Sequence, residues 1–132
     1  MGSFVRLFTG PDGESHLEEK DMGFGSSDFS HLGGFSPAVA AAPVHLIPER
    51  VKAVIIGSQT DMNLEGLHRV RQRHYIVFIS GAAEMETSDG TKRIFRAGDF
   101  LEEDDRAGGG HKWVLLEKPW EWLAVMLEDE DQ

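Results

Sequence analysis

EMETSDGTKRIF, residues 84 to 95, places Asp89-Gly90 between two runs in which apolar and polar side chains alternate. Asp-Gly accepts positive φ at low cost, and a two-residue link of this kind predicts a type I′ hairpin. The same texture extends outward. VHLIPERV (44–51), KAVIIGS (52–58), HYIVFIS (74–80), AAEMETS (82–88), TKRIFRA (91–97), DFLEE (99–103), HKWVLLE (111–117) and EWLAVML (121–127) are short runs rich in branched and aromatic residues. Turn signals at Gly98-Asp99, Gly108 to Gly110 and Lys118-Pro119 separate the later ones. Eight such strands predict an antiparallel all-β domain, a sandwich or a jelly-roll barrel.

Before this region the texture changes. Residues 9–43 include TGPDG, GFGSS and LGGFSPAVAAAP and show no sustained helical period. After an N-terminal strand, residues 1–43 are therefore expected to form an irregular arm, with Phe24, Phe29 and Phe35 resting on the body or on a second subunit. Residues 44–128 form the β-barrel in this reading, and residues 129–132 an acidic tail.

With 132 residues the chain is the size of one domain. Its 13 Lys and Arg stand against 23 Asp and Glu, a formal charge of −10. That balance argues against nucleic acid or an anionic membrane as partner. No apolar run approaches the roughly 20 residues of a membrane span. The absence of cysteine removes disulfides and thiolate ligands and fits a reducing compartment. A cytoplasmic location is the expectation.

Without cysteine, a transition-metal site must be built from imidazole and carboxylate. Of the six histidines, His16 lies in an acidic loop, and His31 and His45 read as structural. His68 and His74 flank RVRQR. His74 shares a strand face with Ile76 and Phe78, and His111, after three glycines, shares one with Trp113 and Leu115. His68, His74 and His111 facing one divalent ion would leave positions open for water or substrate. The alternative is that the three imidazoles hydrogen-bond one another, a ligand or water. Arg69, Arg71 and Arg73 read as a solvated edge, with Arg73, next to His74, also a candidate for a substrate carboxylate. Asp104 and Asp105 precede the glycines as turn residues able to orient a histidine. Trp120 and Trp122 read as core or interface.

The spacing resembles the cupin superfamily, whose first motif runs H-x-H, three or four residues, E, six residues, G. YIVFIS separates His74 from Gly81, so His74 occupies the glutamate position, His68 the first histidine and Val70 the second. GDFLEEDDRAGGGH, ending at His111, is similar to the second motif. The chain departs from the pattern at Val70, at His74, at Asp104 and Arg106 in place of Pro and Gly, and at His111, two residues late. Small cupin-domain proteins of about this length share a segment like FVRLFTGPDGESH, the Arg-rich turn and the glycines before the last histidine.

The resemblance implies a double-stranded β-helix, a homodimer formed by strand exchange, a divalent metal (Mn, Fe, Ni or Zn) at His68, His74 and His111, and no organic cofactor. It places Tyr75, Phe78 and Trp113 in the substrate pocket; His74, His111 and, from its position beside His74, Arg73 are the candidate catalytic groups. Two function classes follow. One is a metal-assisted isomerase, cyclase or lyase acting on an oxygenated small metabolite, with dioxygenase chemistry less favoured. The other is a non-catalytic or metal-free cupin that binds a small molecule or serves as a dimer scaffold.

Overall fold

The computed structural model describes residues 3–25, 50–61 and 67–128. Within them lie seven strands: β1 (Ser3–Thr9), β2 (Ser15–Asp21), β3 (Val51–Gln59), β4 (His74–Thr87), β5 (Lys92–Arg96), β6 (Phe100–Asp104) and β7 (His111–Leu127). No described residue is helical, so the chain is all-β. The strands form one mixed sheet in the order β2-β1-β6-β4-β7-β3, with β5 paired to β4 off this path. Only β1 and β6 run parallel. Among the described residues the path is open, with β2 and β3 at its ends, where the sequence predicted a closed barrel. His31, His45, Phe29, Phe35, most of VHLIPERV and the acidic tail lie outside the described residues.

Four expectations change. HYIVFIS and AAEMETS are one strand, as are HKWVLLE and EWLAVML. Gly81 therefore does not turn the chain, and neither does Lys118-Pro119. Ser15–Asp21, inside the stretch expected to be irregular, is a strand paired along its whole length with β1. SHLEEKD hides this because its last four residues are exposed, and solvated charges suit a sheet edge, where they discourage pairing with another chain. The Asp89-Gly90 hairpin forms, but with a different turn. Only Gly90 has positive φ, and Gly90 N donates to Thr87 O at 2.9 Å, the pattern of a type I turn followed by a left-handed glycine.

The two long strands create the interior. Along β4 the inward positions are even at first, with Ile76 and Phe78 buried, and odd after Gly81, with Ala83 and Met85 buried. β7 changes parity in the opposite sense, from His111 and Trp113 to Trp120 and Ala124. The β4–β7 pairing shifts register between Phe78 and Ala83, and such bulges bend strands and re-aim side chains. Both strands thus keep an apolar face on one core, in which Phe78 stacks on Trp120 at 5.7 Å and meets Phe95 and Trp113. Gly81 makes the bulge possible. Its φ is 76°, and a Cβ there would run into the Pro119 carbonyl oxygen and lie 2.6 Å from that of Glu117. Gly81→Ala is expected to cost about 1–3 kcal/mol, seen as a lower urea midpoint. An unchanged midpoint would mean that the bulge does not depend on glycine.

Candidate functional site

A cavity of about 370 Å³ opens between β4, β7, β3 and the segment from His68 to Gln72, within the size range of small-molecule sites. Trp113, Trp120, Trp122, Ile55, Ile76 and Met126 supply apolar walls, and His68, His74, Glu103 and His111 the polar end.

Each polar group is placed by local backbone. His68 and His111 exchange both main-chain hydrogen bonds at 2.8 Å, which brings their rings to 4.4 Å between centroids. Gly110 allows this approach, because its φ is 103° and a Cβ would meet the His68 carbonyl oxygen at 3.0 Å. The loop before it is anchored by Asp105, which is fully buried. Asp105 accepts hydrogen bonds from Ser15 Oγ, from Thr9 Oγ1 at 2.8 Å and from Gly108 N at 3.2 Å. Ser15 Oγ in turn accepts from Gly110 N at 2.8 Å. The β1–β2 hairpin therefore holds the glycine loop that carries His111. His16 pins the same region from outside, its ring nitrogens 2.8 Å from carboxylate oxygens of Asp12 and Asp89.

His74 and Glu103 face each other across the β4–β6 register and form a hydrogen-bonded pair through His74 Nε2. His74 Nδ1 lies 2.7 Å from the Gln72 carbonyl oxygen. A carbonyl oxygen only accepts, so Nδ1 carries a proton. Nε2 and the Glu103 carboxyl share the remaining proton, which the directions of their pKa shifts place on the imidazole. Burial opposes both charges, but the mutual hydrogen bond and attraction outweigh it. The His74 pKa is raised above the ordinary histidine value, and the Glu103 pKa is held below the usual carboxylate range. His111 differs. Burial, helped by the positive field of His68 and His74, lowers its pKa against the pull of Glu103 and Asp105, so its neutral form is favoured. Its Nε2 stands 3.7 Å from Glu103 Oε1.

Of the residues singled out in the sequence, His68, His74, His111 and Trp113 meet at the cavity. Phe78 lies beneath the wall, 1% exposed and packed on Trp113 and Trp120. Tyr75 and Arg73 are off the cavity. Strand alternation turns Tyr75 away from the His74 face, and its ring packs on Phe100 at 5.3 Å. Arg73 pairs with Glu102 at 2.7 Å and donates to Tyr75 Oη at 3.0 Å. Glu103 was not singled out, since FLEED offers three acids and the choice depends on register. Trp120 and Trp122 line the cavity rather than only the core.

The metal set read from the sequence does not fit this geometry. Among the described residues no group of three or more His, Asp or Glu is arranged to hold a metal ion. His74 Nδ1 is engaged by the Gln72 carbonyl oxygen and Nε2 by Glu103, so ligating a metal through this ring would require breaking its pair with Glu103. No described helix is long and apolar enough to cross a membrane. The fold and site together define an all-β protein with a histidine–glutamate cavity. No protein-family model and no curated protein matches the chain.

Proposed function

We propose that the chain is a small cupin whose cavity binds an oxygenated small metabolite and processes it by proton transfer, as a lyase, isomerase or cyclase. One observation carries this reading. The buried polar side-chain atoms without a hydrogen-bond partner include His68 Nδ1, Glu103 Oε1, His111 Nδ1 and Trp120 Nε1, and all four belong to residues that line this cavity. Unsatisfied buried groups cost about 1–3 kcal/mol each, and a ligand bearing oxygens would satisfy them together. Neutral His111 is the base in this scheme. Its Nδ1 takes a proton from the carbon or hydroxyl of the substrate, and the ionised Glu103 stabilises the imidazolium that forms. The hydrogen bond and attraction from His74 favour the ionised form of Glu103 in that role.

The homodimer belongs to the same proposal. Edge strand β3 exposes Val54 and Ile56, 58% and 71% accessible, and has no acidic residue in a chain of charge −10, which suits a second copy.

NMR in heavy water, with a panel of enolisable oxo acids and hydroxy acids, tests the function. The wild type is expected to exchange deuterium into, or convert, at least one panel member, and His111→Phe is not. Quenching of tryptophan fluorescence without exchange across the panel would favour the non-catalytic binder, and the absence of both would count against a small-molecule site.

A further inference from the structure

We infer that the ligand is an anion, a carboxylate held at the cavity rim by Arg71 with Arg69 beside it. This rests on the cavity being a small-molecule site and adds the class of molecule it takes. Of the eight arginines, Arg6, Arg50, Arg73, Arg93, Arg96 and Arg106 each have a carboxylate oxygen within 4.0 Å. Acids are abundant in a chain of charge −10, so pairing is the common state. Arg69 and Arg71 have no carboxylate partner among the described residues, and both line the cavity. Arg69 gives its Nε to the Gly108 carbonyl oxygen at 2.7 Å, and Arg71 makes no hydrogen bond or ion pair among the described residues.

The cavity's own acid does not supply the missing partner, because Glu103 is neutralised by His74. A local cationic rim on an otherwise acidic surface draws anions to this opening and no other ligand charge. A guanidinium fork matches a planar carboxylate in two parallel hydrogen bonds. Between rim and polar end stand Trp113, Trp120 and Trp122, which suit a planar apolar body. The ligand is thus an aromatic or alicyclic carboxylic acid, its charge outside and its second oxygenated group at His68, Glu103 and His111.

All three tryptophans of the chain line the cavity, so their fluorescence reports binding directly. Phenylpropionate and its methyl ester serve as probes, titrated into wild type, Arg71→Ala and Arg71→Lys. Phenylpropionate is expected to bind wild type more tightly than the ester. Arg71→Ala should weaken the acid by about ten- to a hundredfold and leave the ester unchanged, with Arg71→Lys recovering part of the loss. An Arg71→Ala effect on both probes alike, or on neither, overturns the anion site. Ester binding equal to acid binding in the wild type also overturns it while sparing the cavity, whereas failure of both probes to bind removes the cavity reading and this inference together.

Discussion

Replacing Glu103 with alanine is expected to destabilise the protein by about 3–5 kcal/mol, the cost of stranding one member of a buried ion pair. Both partners are largely hidden, with side chains 13% and 6% accessible for His74 and Glu103, so solvent screens the pair little. The measurement is the urea midpoint at constant slope, followed across pH. The raised His74 pKa contributes stability that is fully present below the ordinary histidine value of 6.5 and is lost as pH rises through the higher folded value. The lowered Glu103 pKa contributes stability present above the ordinary value of 4.5 and lost as pH falls through the lower folded one. The pair therefore supports the fold most between those two ordinary values and through neutrality. In Glu103→Ala, His74 stays buried without its anion, and protonation in the unfolded chain pulls the equilibrium toward unfolding below about 6.5. The gap between wild type and variant should accordingly be widest in mildly acidic buffer and narrow in alkaline buffer. A gap that ignores pH would mean that the two side chains are not an ion pair. Pairing His74→Phe with Glu103→Leu should recover much of the loss, as apolar replacement of buried ion pairs commonly does.

The second large effect concerns His111. His111→Phe keeps a ring against Trp113, which it meets edge-on at 6.4 Å, and removes the proton acceptor. On the substrate identified by exchange, turnover should fall by about 10²–10⁴-fold, the usual contribution of a positioned acid–base group. The wild-type profile of kcat/KM should fall on the acid side as His111 takes up a proton. Because burial lowers its pKa from 6.5, that limb should lie below the ordinary histidine value. The variant's residual rate should lack it. Turnover retained in His111→Phe, or an acid limb unchanged by the substitution, would move the proton transfer to another group. The same lowered pKa acts on stability. The unfolded chain protonates His111 more readily than the folded one, so the wild type loses stability as pH drops from 6.5 toward the folded value.

Much of this site was legible along the chain. Alternation grouped His74 with Ile76 and Phe78, and His111 with Trp113 and Leu115, because period-2 patterning needs no knowledge of the partner strand; Ile76, Phe78, His111 and Trp113 are buried, but so is Tyr75 on the other face of β4, and Leu115 is only partly buried. The eight-run count failed at Gly81 and Pro119 for the same local reason. A glycine or a Lys-Pro pair reads as a turn, but here two parity changes sit opposite each other and the ladder continues through them. Arg73 illustrates a different limit. Three arginines two residues apart look alike in RVRQR, yet Glu102 captures one and leaves the other two at the cavity.

What the amino-acid order determined by itself was an all-β chain of alternating strands, the inward faces of His74 and His111, and the absence of thiolate chemistry. Those properties follow from side-chain period, composition and turn residues, which act over a few positions. Only the tertiary structure decided that Glu103 faces His74, that His68 lies over His111 and that Arg71 stands at the cavity without a partner among the described residues. Each depends on strand register, and register is set by bulges and loop anchors such as Gly81 and Asp105, whose partners are distant in the chain. A one-residue slip of β6 against β4 would put Glu102 or Asp104 opposite His74 in place of Glu103. The ion pair, and with it the charge state of the cavity, is therefore a property of the assembled sheet.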